Sequence, residues 1–108
     1  MSAYVVMIRE RVNNPEEMAR YAQLAPSARA GHHITPIAFY GDLMALEGPR
    51  PDGVVILQFA SVDEARGWYE SAAYQDAATH RHLGADYRVF VIEGVAPPTD
   101  SQHSLMKG

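Results

Sequence analysis

Val54-Val55-Ile56-Leu57-Gln58-Phe59-Ala60-Ser61-Val62-Asp63-Glu64-Ala65 changes its structural period halfway along. The first six residues are apolar apart from Gln58 and rich in β-branched types, the pattern of a buried strand. Ser61, with Glu64 three residues on, is a capping box: the hydroxyl takes an otherwise unpaired N–H at the start of a helix. The helix that opens there carries Val62, Ala65, Tyr69 and Ala72 on one face. A strand handed directly to a helix is half of a βαβ unit, and the other half lies upstream.

Ala3-Tyr4-Val5-Val6-Met7-Ile8-Arg9-Glu10 has strand composition without strict alternation. Asn14 follows as a cap, Pro15 fits the first helical position, and Glu16 and Glu17 suit the positive end of a helix. Met18, Tyr21, Ala22 and Ala25 recur at i, i+3, i+4 and i+7. Pro26 should kink or interrupt this helix, and Gly31 should stop it. Ile34 to Tyr40 reads as a second strand, with Pro36 at an edge or bulge. Gly41-Asp42 is expected as a two-residue hairpin turn, with Leu43 to Glu47 returning as a short third strand. Gly48-Pro49-Arg50-Pro51-Asp52-Gly53 is a loop. Beyond the decisive stretch, Tyr74 to Leu83 reads as a further helix closed near Gly84, and Tyr87 to Ile92 as the last strand.

The order is β-α-β-β-β-α-(α)-β, an α+β arrangement of ferredoxin-like topology with helices on one face of an antiparallel sheet. The domain is expected over residues 1–95, with a flexible tail over 96–108 after Val95 and around Pro97-Pro98. Val5 and Met7, Val55 and Leu57, and Val89 and Val91 are expected not all to face the helices. Part of this apolar surface would then need a second copy of the chain to cover it, so a homodimer is expected.

Composition narrows the function classes. The chain has 108 residues, 47% apolar, with 13 acids against 9 bases and a net charge of −4. An acidic chain without a Lys/Arg run lacks the electrostatic footprint of a nucleic-acid binder. Cysteine is absent, which rules out disulfides, thiolate metal sites and cysteine nucleophiles. No signal-peptide pattern precedes the first strand, and no apolar run approaches the ~20 residues that span a bilayer. A cytoplasmic protein is expected. No glycine-rich phosphate loop, nucleophile elbow or dinucleotide fingerprint occurs, so no cofactor is expected.

The ordered set of local motifs is characteristic. Asn14-Pro15-Glu16 precedes a Tyr-bearing helix, and Glu47-Gly48 precedes a Pro-rich loop. Val54 to Phe59, Ser61-Val62-Asp63-Glu64-Ala65 and Trp68-Tyr69-Glu70-Ser71-Ala72-Ala73-Tyr74-Gln75 follow in turn. Over residues 3 to 95 the chain resembles the domain-of-unknown-function family numbered 1330, a branch of the dimeric α/β-barrel superfamily. The resemblance implies a ferredoxin-like protomer whose sheet joins a partner's sheet in a barrel. It does not imply one activity: relatives in the superfamily include cofactor-independent monooxygenases, haem-degrading enzymes, cyclases, isomerases and ligand-binding regulators. Where such proteins often carry a Gly-Gly pair after the first helix, this chain has Gly31-His32-His33.

Candidate chemistry rests on few residue types. Neither His32-His33 nor His80 and His82 has the i, i+4 spacing of a helical metal site, and no metal is expected. His33 and His80 are candidate general bases, since an imidazole titrates near neutral pH. Glu47, at the end of the expected third strand, is a candidate acid or base. Tyr21 and Tyr69, on the inward faces of the two main helices, are expected to meet above the sheet and line a pocket with Tyr40. Trp68, beside Tyr69, is expected at a boundary or on the surface and is a further candidate for binding the ligand. In cofactor-free oxygenases of the superfamily a Trp, an Asn and a Tyr or His often line the site; here Asn13 and Asn14 fall in a helix-start turn that capping explains. Arg9 and Arg88 are candidates for holding a carboxylate or for pairing across the sheet.

The pocket is expected between helices and sheet, open near Pro26, with His33, Glu47 and His80 near its mouth. Such a site suits a cofactor-independent isomerase, cyclase or lyase acting on a small oxygenated organic molecule by acid/base chemistry. Without a poised base the same pocket suits a small-molecule-binding or regulatory protein, and a cofactor-independent monooxygenase is a further alternative.

Overall fold

Four strands form one antiparallel sheet: β1 (Ala3–Val12), β2 (Thr35–Phe39), β3 (Gly53–Phe59) and β4 (Ala85–Glu93), in the order β2-β3-β1-β4. Helices α1 (Pro15–Leu24), α2 (Val62–Glu70) and α3 (Ala72–Gly84) cover one face, and a 3-10 turn (Ala25–Arg29) follows α1. The order and pairing are those of a ferredoxin-like α+β fold. The computed structural model describes residues 1–96, so the tail expected over 96–108 lies, but for Ala96, outside the described residues. Among those residues, no helix is long and apolar enough to cross a membrane.

The capping signals act where they were read. The Asn14 side chain accepts from the N–H groups of Glu16 and Glu17, with Pro15 behind it, and the Ser61 hydroxyl accepts from Glu64 N–H. At Pro26, which has no N–H to donate, α1 tightens into the 3-10 turn. Ser71 ends α2 in extended backbone and recaps the chain by accepting from Tyr74 N–H. Ala72 therefore opens α3 and does not extend the buried face of α2, as the spacing had suggested. That face turns inward through Ala65 and Trp68.

Sheet register assigns the faces. Val5 stands opposite Leu57 and Val91, and Met7 opposite Val55 and Val89, so all six point to the helices. This corrects the expectation that they divide between the faces. Val5, Met7, Val55 and Leu57 are buried, at about 1.5–3 kcal/mol each. The intervening residues make the far face apolar as well: Val6 stands between Ile56 and Phe90, and Ile8 is opposite Val54. Phe90 and Ile92 are exposed there. Strict alternation is missing because both faces are apolar.

The third strand expected over Leu43 to Glu47 does not form. β2 pairs with β3 through Phe39 and Val55, and residues 40–52 make a long connection. Met44 and Leu46 are 82% and 85% exposed, with no strand beside them to pair with. Glu47 accordingly stands on an exposed loop and not at a strand end.

Candidate functional site

A cavity of about 450 Å³ separates α1 and the 3-10 turn from the sheet, a size typical of small-molecule sites. Its floor is Met7, Val55 and Leu57, and Trp68 of α2 closes one side. Met18, Tyr21, Ala22, Ala25 and Pro26 form the roof. The cause is local: α1 packs chiefly on α3, and Ala22 of α1 and Ala25 at the start of the 3-10 turn, both lining the cavity, carry only methyl groups. No residue of α1 is fully buried, because the space beneath it is not filled by side chains.

Tyr40 is the most constrained wall residue. It is the one non-glycine among the described residues with positive φ, at 53°, a conformation that costs a bulky side chain energy and tends to persist where the surroundings impose it. Its N–H donates to Val54 O at 2.9 Å, and its hydroxyl pairs with that of Tyr87 on β4. The Arg9 guanidinium lies 4.4 Å from the ring centroid. Gly53 supplies the room: a Cβ there would meet Tyr40 Cδ1 at 2.6 Å and Arg9 Nη2 at 3.2 Å. Burial, then the bond to Tyr87, pushes the Tyr40 phenol above its ordinary pKa against the pull of Arg9, so it rests as a proton donor.

Arg9 points to the helix face from β1, with Tyr87 opposite on β4. Its Nε donates to Asp52 Oδ2 at 2.6 Å. Burial opposes its charge, but the Asp52 bond together with the two tyrosines outweighs it, and the net shift is upward.

A second hydroxyl pair lies deeper. Tyr21 and Tyr74 share a hydrogen bond at 2.8 Å, their rings edge to face at 6.2 Å. Burial is the leading cause that raises both phenols. Arg81 pulls on Tyr74 in the opposite direction, and it is itself only 3% exposed. Arg81 stacks on Tyr87 at 5.0 Å and donates through Nη2 to His82 Nε2 at 3.3 Å, while its Nε has no partner among the described residues. Burial, then Arg81, lowers the His82 pKa.

The expected residues separate into two groups. Tyr21, Tyr40 and Trp68 come together around the cavity, and Pro26 is among the residues that line it. Trp68 is 3% exposed and packs on Tyr74 at 4.2 Å and Phe59 at 5.4 Å, not at the surface. Tyr69 does not meet Tyr21. Tyr74 stands between them, and Tyr69 turns instead toward shallow grooves beside Val89. His80 Nδ1 is 2.6 Å from Glu17 Oε2 and ties α3 to α1. His33 is exposed, in a depression with His32 and Glu64. With Glu47 on the loop, none of these three reaches the cavity. Arg88 pairs with Glu10 away from it.

Sequence reasoning missed Arg29, Tyr74 and Arg81. Arg81 had a signal: Tyr74, Ala77, Ala78 and Arg81 make an i, i+3, i+4, i+7 stripe, so the cation sits on an apolar face. Arg29 had none, since the turn after Pro26 carries no helical period.

Fold and site together define a ferredoxin-like protein with a small-molecule-sized cavity roofed by its first helix. The chain belongs to the family described as Domain of unknown function (DUF1330), which matches residues 2–95. Solved structures share the fold at low identity. A protein of unknown function from Rhodopseudomonas palustris is 19% identical, with TM-score 0.67 over 89% of this chain and 84% of that one. A dimeric ferredoxin-like protein of unknown function from Thermobifida fusca is 16% identical, with TM-score 0.60 over 85% and 90%. SnoaB, a cofactor-independent oxygenase from Streptomyces nogalater, is 14% identical, with TM-score 0.55 over 89% and 94%. No curated protein sequence matches the chain.

Proposed function

We propose that this chain acts on a small oxygenated organic molecule held in the cavity under α1. The observation that carries the reading is the cavity's composition: an apolar floor and roof, with Tyr21, Tyr40 and Arg9 in the wall. Phenols held in their protonated form beside a guanidinium stabilise negative charge developing on a carbonyl oxygen, as isomerisation, cyclisation or elimination next to a carbonyl requires. Tyr40 donates at that oxygen, Arg9 holds the ring of Tyr40 in place, and Trp68 packs against the body of the molecule.

One observation favours the alternative, a binding or regulatory protein with the same pocket. His33, Glu47 and His80 stand outside the cavity, and among the described residues no histidine or carboxylate lines it. The two readings separate in one experiment. Small carbonyl compounds that alter the emission of Trp68, the single tryptophan, are incubated with the protein and followed by NMR. Consumption supports the enzyme, and intact recovery supports the binder. Tyr40→Phe should weaken binding or turnover about tenfold, as loss of a hydrogen bond to a charged group does. If Tyr40→Phe and Tyr21→Phe both match the wild type, the cavity is not the site.

The working unit in this proposal is a homodimer acting in the cytoplasm. The apolar far face of the sheet, from Val6 and Ile56 to Phe90, supports sheet-to-sheet contact with a second copy. The Thermobifida fusca neighbour is described as dimeric. Light scattering should give about twice the 11.9 kDa chain mass, and a monomer at micromolar concentration refutes the dimer.

A further inference from the structure

Among the described residues, each arginine and tyrosine in the cavity wall can donate a hydrogen bond, and no carboxylate lines it. Arg9 and Arg29 bring two guanidiniums, and Tyr21 and Tyr40 bring hydroxyls. Their internal bonds leave donors over. In the Tyr40–Tyr87 pair, and again in the Tyr21–Tyr74 pair, one hydroxyl donates to the other. Where Tyr21 or Tyr40 is the acceptor of its pair, its own hydrogen has no protein acceptor assigned among the described residues and is left for a ligand.

Charge is unbalanced in the same sense. Asp52 compensates Arg9 through Nε. Arg29, half-buried on the 3-10 turn at the cavity's edge, belongs to none of the ion pairs among the described residues. Behind the wall, Arg81 is buried, belongs to none of the ion pairs among the described residues, and stacks on the tyrosine that bonds Tyr40. A cavity with an apolar body, spare donors and uncompensated cations is complementary to a small organic anion.

We propose that the ligand of this cavity is an organic monoanion, a carboxylate or an enolate on a compact apolar skeleton, with Arg29 as the residue that recognises its charge. The inference rests on the proposed small-molecule role of the cavity and adds the ligand's charge to it. The guanidinium of Arg29 offers paired N–H donors to two oxygens at the mouth, while Trp68 and the floor receive the skeleton.

The test uses two probes of one shape, adamantane-1-carboxylate and the uncharged adamantane-1-carboxamide, which do not absorb where tryptophan is excited. Trp68 emission reports binding to the full chain at pH 7, where the acid is ionised. The carboxylate should bind at least about tenfold more tightly than the amide, the worth of one charge-assisted hydrogen bond. Arg29→Gln should cut that preference to about twofold or less, and Arg29→Lys, which keeps the charge, should retain most of it. Circular dichroism of the variants establishes that the fold persists. Equal binding of both probes overturns the anion inference and leaves the small-molecule cavity standing. Binding of neither overturns both. A carboxylate preference that survives Arg29→Gln overturns the assignment to Arg29.

Discussion

Gly84→Ala should destabilise the protein although it exchanges a glycine for the best helix former. Gly84 is the last residue of α3 and does not occupy the left-handed region, so its backbone does not require glycine. What it provides is space. A Cβ at this position would lie 2.8 Å from Met18 Cγ and 3.0 Å from both Met18 N and Sδ. Non-bonded carbons rest at about 3.5–4.0 Å, so α1 has to withdraw by roughly 1 Å at its first turn. The side chain of Met18 can adjust, but its backbone nitrogen cannot move without the helix. Gly84 O also accepts the N–H groups of Asn13 at 2.7 Å and Asn14 at 3.0 Å, so the same point anchors the start of α1. Overpacking of this kind costs about 1–3 kcal/mol, and replacing a helical glycine returns about 0.5–1 kcal/mol. The net loss should be about 1–2 kcal/mol, a fall in Tm of very roughly 5–15 °C for a domain of this size. Urea unfolding with an unchanged m-value measures it. Adding Met18→Ala should relieve the Cγ and Sδ contacts, so the double variant should lose less than the two single losses combined. If Gly84→Ala is as stable as the wild type, the close approach of α1 and α3 is not what holds the cavity's roof.

Three further outcomes follow from contacts already described. Tyr74→Phe should cost about 1–2 kcal/mol, because the hydroxyl of Tyr21 then loses its partner in a half-buried site; chemical denaturation measures it. Asn14→Ala removes the acceptor for two N–H groups at the start of α1 and should cost about 1 kcal/mol, with amide exchange speeding up first at Glu16 and Glu17. His82 has a folded pKa below its ordinary 6.5, so the unfolded chain takes up the proton first. Its contribution to stability is therefore whole above pH 6.5 and is lost as pH falls toward the folded value. The drop in Tm from pH 7.5 to 5.5 should be smaller in His82→Gln, and an NMR titration placing His82 above 6.5 contradicts the argument.

The elements declared themselves in the sequence because their signals are local. A cap, a proline and a capping box act across three or four residues: Asn14, Pro26 and Ser61 each did in the structure what their side-chain chemistry required. The order of those elements, and with it the ferredoxin-like topology, was legible for the same reason. The faces of the sheet were not. Val5 and Val6 are chemically alike, and a strand apolar at every position carries no period to say which side meets the helices. Only pairing with β3 and β4 decides it. The same holds for Leu43 to Glu47, whose composition suits a strand but which finds no neighbour to pair with.

The cavity divides along the same line. The small residues Ala22 and Ala25 and the break at Pro26 already suggested an opening beside α1, and Tyr21, Tyr40 and Trp68 stood among the expected lining. Tertiary structure decided the rest, since it sets which distant side chains converge. It placed Tyr74, and not Tyr69, against Tyr21, turned Trp68 inward, and held His80 on Glu17. It also brought Arg29 to the cavity from a turn with no periodicity to read. Sequence by itself determined the helices, most of the strands and their order through contacts a few residues long; the chemistry of the site arose from contacts between segments such as Tyr40 and Tyr87, which only packing brings together.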